Sequence, residues 1–435
     1  MSESAVTSAI NTSTQRFRFG ILVFVSLLTF GSYFAYDIIG AMATRLAEEF
    51  GGRGTVGTFY AMYSIGAIIS VMIGGILIDR LGIRISSMIF SSLVLIGAII
   101  VAYSHNLWLL YLGRSIFGAG SEPLVVAQMA MLTRWFKSKE MALSFGITLT
   151  VSRLGTLFSF NTGELIATKY GGYRMALIVA SFCCLISLLS NIVYLIMDKI
   201  GERRFTLAME ASSDKIVFKD IKAFKPSYWY VTMLCVTFYS AIFPFTALST
   251  DLFVDKWHVQ RVAETSGGFL YQVFSGFLHM FSTAGGISSI IIFASMVFAP
   301  FAGRFVDKIG RRATLMIFGS IIMIPSHLLM GITTIYPAYP MILLGAAFVL
   351  VPAAMWPSIP LIVPKDKVGT AFGLTTMIQN VGLFLFPILN GWLRDTTHTY
   401  TASQIMFSCL GLFGLLFAVL LIRADKKEGS VLEKP

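Results

Sequence analysis

The stretch GILIDRLGIR at residues 75–84 returns as GRFVDKIGRR at residues 303–312. Gly75 and Gly303, Asp79 and Asp307, and Gly82 and Gly310 are each 228 positions apart, so both copies keep the same spacing of glycine, acid and glycine. A second pair, SFGITLTVSRLG from Ser144 to Gly155 and AFGLTTMIQNVG from Ala371 to Gly382, recurs at an offset of 227. Two matches at nearly one offset are the mark of an internally duplicated chain.

What is duplicated is a set of membrane spans. The chain has 435 residues, 56% hydrophobic and only 13% charged, with a mean hydropathy of +0.78. Soluble domains carry about 25% charged residues. Apolar runs long enough to cross hydrocarbon as helices are expected at 17–38, 56–78, 85–104, 107–133, 141–164, 174–197, 227–252, 283–303, 312–333, 338–362, 368–393 and 402–423. The predicted fold is an all-α membrane protein of twelve transmembrane helices in two pseudo-symmetric halves of six. The short alternating segments of an outer-membrane barrel are not seen. The first apolar run is too long for a cleavable signal and follows a tail with Arg16 and Arg18, so it is expected to stay in the membrane. Cys183, Cys184, Cys235 and Cys409 all fall in apolar spans and read as small packing residues.

The net charge of +11 is unevenly placed. About 24 of the 33 Lys and Arg fall on the side shared by both termini and about 7 on the other. That bias predicts cytoplasmic termini and accounts for the basic pI without a nucleic-acid partner. The predicted organisation is a cytoplasmic tail (1–16), a first half (17–197), a cytoplasmic linker with seven Lys and Arg (198–226), a second half (227–423) and a second cytoplasmic tail (424–435).

Within the apolar runs, the stretch GAGSEPLVVAQ at 118–128 holds a carboxylate, Glu122. A charge at the bilayer midplane costs a few kcal/mol or more, so it needs a partner or a ligand. Glu122 is twelve residues from Arg134 at the end of its helix, and Arg153 is twelve residues from Met141 at the start of the next. Both therefore lie about 18 Å deep. Antiparallel neighbours about 8–10 Å apart let the two charges meet directly or through something held between them. A pair that only fixes helix register is the alternative, but such pairs contribute little net stability. The repeat places Asn380 opposite Arg153 and an apolar run, AAFVLVP, opposite Glu122, so the second half has no midplane charge.

The paired loops GxxxDRxGxR and GxxxDKxGRR are the signature of the major facilitator superfamily, which the chain resembles over nearly its whole length. The loop glycine would let helix ends approach closely. Asp79, Arg80, Arg84, Asp307 and Arg311 would form a cytoplasmic latch to neighbouring helix ends. More narrowly, LTFGSYFAYD (28–37), GRSIFGAGSEPLVVAQ (113–128), WFKSKEMALSFGITLTVSRLG (135–155), FYSAIFPF (238–245) and AMWPSIPLIVPKDKVGTAFGLTTMIQNVG (354–382) resemble the lysosomal dipeptide transporter group, the major facilitator superfamily domain-containing protein one type. The resemblance implies uniport of dipeptides by alternating access, with Glu122 on the substrate ammonium and Arg153 on its carboxylate.

Two features depart from that group. The sequon at Asn11 is in the tail, so no outer loop offers a glycan acceptor, which speaks against an accessory glycoprotein. The termini also lack an acidic dileucine signal. A monomeric, bacterial-type protein of the plasma (bacterial inner) membrane fits these departures, with the lysosomal membrane as the alternative.

Several further residues are candidates. Tyr36, Tyr63, Tyr239 and Trp356 lie on helices expected to line the cavity, with ordinary packing as the alternative for each. Gln379 and Asn380 are midplane amides suited to a peptide group or to another helix. Arg114 matches a superfamily pattern, RxxxGxG, linked in many antiporters to protons; a structural role bonding carbonyls is the alternative. Asp37, also a candidate for proton linkage, and Asp251 are placed at the outer ends of their helices, where carboxylates meet water, and Glu164 is similar. GGFLYQVFSGFLHMF, ending at Phe281, suggests an interfacial helix. No phosphate loop, catalytic constellation or metal-ligand spacing is found, so neither enzymatic activity, a cofactor nor a metal is expected. Two other functions remain open: a proton-coupled carrier of an organic anion or drug, and a receptor or scaffold that binds without transport.

Overall fold

The computed structural model describes residues 16–136, 138–204, 218–263, 281–364 and 367–434, together with residues 268, 271 and 279. Among these residues twelve long helices follow one another. The first half is α1 (Arg16–Ala41), α2 (53–81), α3 (83–103), α4 (Leu107–Trp135), α5 (Ser138–Lys169) and α6 (Gly172–Arg204). The second is α7 (Pro226–Trp257), α8 (Ala284–Ile309), α9 (Arg312–Ile332), α10 (Ala338–Ile362), α11 (Val368–Thr397) and α12 (Thr401–Glu428). Eleven have the length and hydropathy to cross a membrane, and in α8 the apolar part is the shorter Ala284–Ala299. A short helix after α1, Ala43–Phe50, was not expected from the apolar runs, because half of it is charged or polar. The expected interfacial helix lies mostly outside the described residues.

The duplicated loops are tight turns built on glycine. The chain breaks between α2 and α3 at Gly82, with φ of 77°, and leaves α8 at Gly310, with φ of 66°. Both angles are costly for residues with a Cβ. The reason expected for the first glycine of the motif does not hold in the second copy: a Cβ on Gly303 would meet nothing within 4 Å.

We call the side where α1 begins and α12 ends the terminal side, and the other the far side. The halves are joined on the far side. The Arg53 guanidinium meets the Asp251 carboxylate at 3.0 Å, and the Arg53 and Gly54 amides donate to Asp395 at 3.0 and 2.7 Å. Thr250 donates to the Gly40 carbonyl, Asn161 to the Ser289 hydroxyl at 3.1 Å, and Arg261 pairs with Glu48 at 2.8 Å. Backbones come close along this seam: a Cβ on Gly57 would lie 2.1 Å from the Pro387 carbonyl oxygen, and one on Gly285 would lie 1.9 Å from that of Phe160.

On the terminal side the following bonds, among the described residues, each lie within a half. In the first, Asp198 of α6 receives Arg84, Arg134 and the Trp135 indole N–H, while Glu202 receives both arginines. In the second, the related acid, Asp425 of α12, is 227 positions on. It receives backbone amides instead, those of Val431 at 2.9 Å and Leu432 at 3.1 Å. The segment that follows α12 is tied to the start of α9: the Arg312 amide donates to the Leu432 carbonyl at 2.8 Å, and Glu433 accepts from the Thr314 amide at 3.0 Å and its hydroxyl at 2.7 Å. Leu432 itself is fully buried.

Candidate functional site

A cavity of about 200 Å³ lies between the halves. The first half contributes Ser32, Tyr33, Tyr36, Asp37, Tyr63, Ser121, Glu122, Val125 and Arg153, and the second Tyr239, Phe243, Trp356, Gln379 and Leu383. The two midplane charges therefore share one cavity, as their equal depths predict. They do not pair with each other: among the described residues, Glu122 accepts a hydrogen bond from the Tyr63 hydroxyl at 2.9 Å, and Arg153 has no ion pair. The Arg153 guanidinium lies over the rings of Tyr33 at 5.5 Å and Phe348 at 5.2 Å, and its Nε is buried without a hydrogen-bond partner. Of the two arrangements the sequence left open, the structure has the one with space between the charges.

The wall is aromatic on both sides. Tyr36 stands edge-on to Tyr60 and Tyr63, and Tyr239 stacks on Phe243 with centroids 5.6 Å apart. The Trp356 indole donates to the Tyr239 hydroxyl at 2.9 Å and stacks on Phe372. All four predicted rings, Tyr36, Tyr63, Tyr239 and Trp356, thus reach the cavity.

Three expectations need correction. Asp37 does not sit at an outer helix end in water: α1 runs on to Ala41, so Asp37 is buried, accepts from Thr156 at 2.6 Å and lines the cavity. Asp251, likewise expected in water, is fully buried: Arg53 reaches it across the seam, and the Tyr400 hydroxyl donates to it from within the second half. Glu164, expected to resemble them, needs the same correction: it is buried and pairs with Arg45 at 2.7 Å.

Asn380 is not among the cavity-lining residues. Its amide donates to the Thr376 carbonyl one turn back in α11 at 3.0 Å, and the side chain is buried. Gln379 lines the cavity instead, because consecutive helix residues point about 100° apart. Its amide oxygen accepts a weak bond from the Cys235 thiol.

Arg114 is buried under Tyr36, Tyr60, Tyr63 and Phe117, with centroid distances of 5.3 to 5.6 Å. Its Nε and Nη1 donate to the carbonyls of Phe59 at 3.2 Å and Ala35 at 3.3 Å. It ties α1 and α2 to α4 behind the cavity wall, which is the structural alternative weighed for it.

Of the expected latch, Arg84 bonds the end of α6, while Arg80 and Arg311 are exposed. Asp79 and Asp307 occupy helical backbone, and their side chains lie outside the described set. Sequence reasoning did not single out Tyr33, Phe243 or Phe348, which look like packing residues in apolar runs. It also missed Arg53 and Asp395, whose only signal was charge near a helix end, beside glycines in the case of Arg53.

Comparison with known proteins agrees with this architecture. A model of the Major Facilitator Superfamily matches residues 25–286 and 274–434, one match for each half. The chain belongs to that superfamily. It is also 33% identical over 429 residues to the lysosomal dipeptide transporter MFSD1 of Danio rerio, covering 94% of this chain and 88% of that protein. Identity to the human protein of the same name is 30%, over 94% of this chain and 87% of the relative. This facilitator thus falls in the MFSD1 group, as an integral membrane transporter of a small-molecule substrate and not an enzyme. A bacterial homologue of the human lysosomal transporter Spinster, solved in an inward-facing and occupied conformation, superposes with a TM-score of 0.68 at 13% identity. The alignment spans 95% of this chain and 98% of that one, and it shows a shared fold alone.

Proposed function

We propose that this facilitator moves dipeptides across the membrane by alternating access, as a monomeric uniporter. The observation that carries this reading is that Glu122 and Arg153 face one cavity from neighbouring helices without pairing with each other. A zwitterion longer than a free amino acid suits that arrangement. In a dipeptide the ammonium and carboxylate are separated by one more residue, about 3.8 Å of chain, so the ligand reaches both side chains across the gap. Glu122 takes the ammonium, Arg153 takes the carboxylate, and the amide of Gln379 is placed to bond the peptide group.

The names of the MFSD1 relatives support the same substrate class. The Lys and Arg bias supports cytoplasmic termini, which makes the terminal side cytoplasmic and the joined far side external or luminal. An impermeant thiol reagent that labelled a cysteine placed at position 210 in intact right-side-out cells would overturn that orientation. The latch residues Asp79, Arg80, Arg84, Asp307 and Arg311 act in the turnover of the two states, and Arg114 and Asp37 hold the wall of the site.

The deciding experiment is a thermal-shift and proteoliposome uptake comparison of free dipeptides, N-acetyl dipeptides, dipeptide amides, amino acids and sugar acids. Free dipeptides should stabilise and be carried, and each capped form should bind and be carried far more weakly, with a much higher KM. N-acetyl dipeptides that bound as well as free ones would favour the proton-coupled carrier of an organic anion.

A further inference from the structure

We propose that Phe348 is a positioning residue for Arg153: its ring, carried by the second half, orients the guanidinium that the first half presents to a substrate carboxylate. The inference rests on the carboxylate-binding reading of Arg153.

The starting point is a half-buried charge, with one buried N–H, that lacks the usual compensation. Buried polar groups are almost always hydrogen-bonded, yet the Arg153 Nε has no partner, and among the described residues the side chain has no ion pair. What it has is two aromatic faces, Tyr33 at 5.5 Å and Phe348 at 5.2 Å. A ring stabilises a guanidinium through its quadrupole and engages none of its five N–H donors. The rings therefore hold the charge while leaving its donors free for a planar, bidentate anion such as a carboxylate.

The two rings are not equivalent. Tyr33 is on α1, in the same half as Arg153, and lines the cavity. Phe348 is on α10, in the other half. It is held edge-on by Phe243, with centroids 5.9 Å apart, and by Tyr239 at 6.5 Å, and both of these line the cavity. Contact between Arg153 and Phe348 thus reports where the second half stands relative to the first. The surrounding turn of α10 has room to adjust: Pro352, inside the helix, has no N–H to bond the Phe348 carbonyl. When the halves rock, Arg153 keeps Tyr33 and loses or shifts Phe348, and a bound carboxylate then supplies the missing stabilisation. The ring couples occupancy of the carboxylate site to movement of the halves.

The test compares wild type with Phe348→Leu, which keeps an apolar side chain without a ring, and Phe348→Tyr, which keeps the ring. In proteoliposome uptake, Phe348→Leu should raise KM for a free dipeptide roughly tenfold. KM for the same dipeptide amidated at its C-terminus should stay within about twofold of wild type, and Phe348→Tyr should restore the free dipeptide. Equal changes for both substrates, or none for either, would overturn the proposal. Labelling of Arg153 by phenylglyoxal, read by mass spectrometry without any substrate, gives a second measure. It should run several-fold faster in Phe348→Leu than in wild type or Phe348→Tyr, and equal rates would overturn the ring contact whatever the substrate proves to be. A wild type that failed to distinguish free from amidated dipeptide would instead overturn the carboxylate role of Arg153, and with it the purpose of the positioning.

Discussion

At the repeat-related positions Arg153 and Asn380 the two halves diverge. The arginine faces the cavity, whereas the asparagine's amide N–H turns back onto its own helix. The same holds at Glu122, whose counterpart by the 227 offset is Val349. The duplication kept the glycine turns and the helix order but put the cavity charges, Glu122, Arg153 and Asp37, in the first half only. The second half offers rings, Leu383 and one amide. Both charged ends of a zwitterion would then stay anchored to one half while the other slides past on apolar contacts, which are non-directional and release without leaving an unpaired charge. Asymmetry of this kind lets one half carry the ligand and the other act as its gate.

The comparison can be broken most decisively at the charges. Glu122→Gln and Arg153→Ala should each weaken dipeptide binding by at least about a hundredfold, because each leaves the opposite end of a buried ligand unpaired. Both proteins should still fold, as seen by size exclusion and a retained melting transition. If Trp356→Ala in the second half cost as much as either, the division of labour between halves would be wrong.

Next in size is the seam. Asp251→Asn removes the carboxylate shared by Arg53 and Tyr400, and should lower the melting temperature by several degrees while making far-side positions more accessible to thiol reagents. Unchanged accessibility would mean that the clasp does not hold the far side shut.

The latch should give a different pattern. Loss of charge at Asp79 or Asp307 should slow maximal uptake several-fold and leave KM nearly constant, since those turns lie away from the cavity. A loss of affinity at constant maximal rate would contradict this.

The smallest effect expected is that of Trp356→Phe, which keeps the ring but deletes the bond to Tyr239. A neutral hydrogen bond contributes about 1 kcal/mol net, so KM should rise about fivefold. A larger rise would move chemistry into the second half and weaken the contrast.

Much of this architecture could be read from residue order, and the reasons are physical. A bilayer demands long apolar helices, so Pro226–Trp257 and Leu107–Trp135 announce themselves by hydropathy, and glycine at positive φ, 77° in Gly82 and 66° in Gly310, marks the turn in both copies. Glu122 and Arg153 stood out because a midplane charge is costly. The contacts across the seam were illegible for the opposite reason: Arg53, Asp251 and Asp395 lie near helix ends, where charge is ordinary. Nothing local shows that Asp251 meets a residue 198 positions away. The repeat offset pairs Asn380 with Arg153, but an offset gives a position in the helix and not which of Gln379 and Asn380 turns inward. Phe348 was hidden because a ring that holds a cation and a ring that packs a core are the same letter.

The tail segment after α12 bears on how the protein is made. Asp198 lies at the end of α6, so once the sixth helix has been synthesised Arg84 and Arg134 already have their acid. The start of α9 must wait, since Leu432 and Glu433, which bond Arg312 and Thr314, are translated only after all twelve helices. The first half can therefore lock while the ribosome is still at work, and the second half cannot. A nascent chain interrupted after Glu428 would carry every membrane span and still leave the turn between α8 and α9 without those bonds, the kind of unfinished helix end that quality-control proteases have a chance to find.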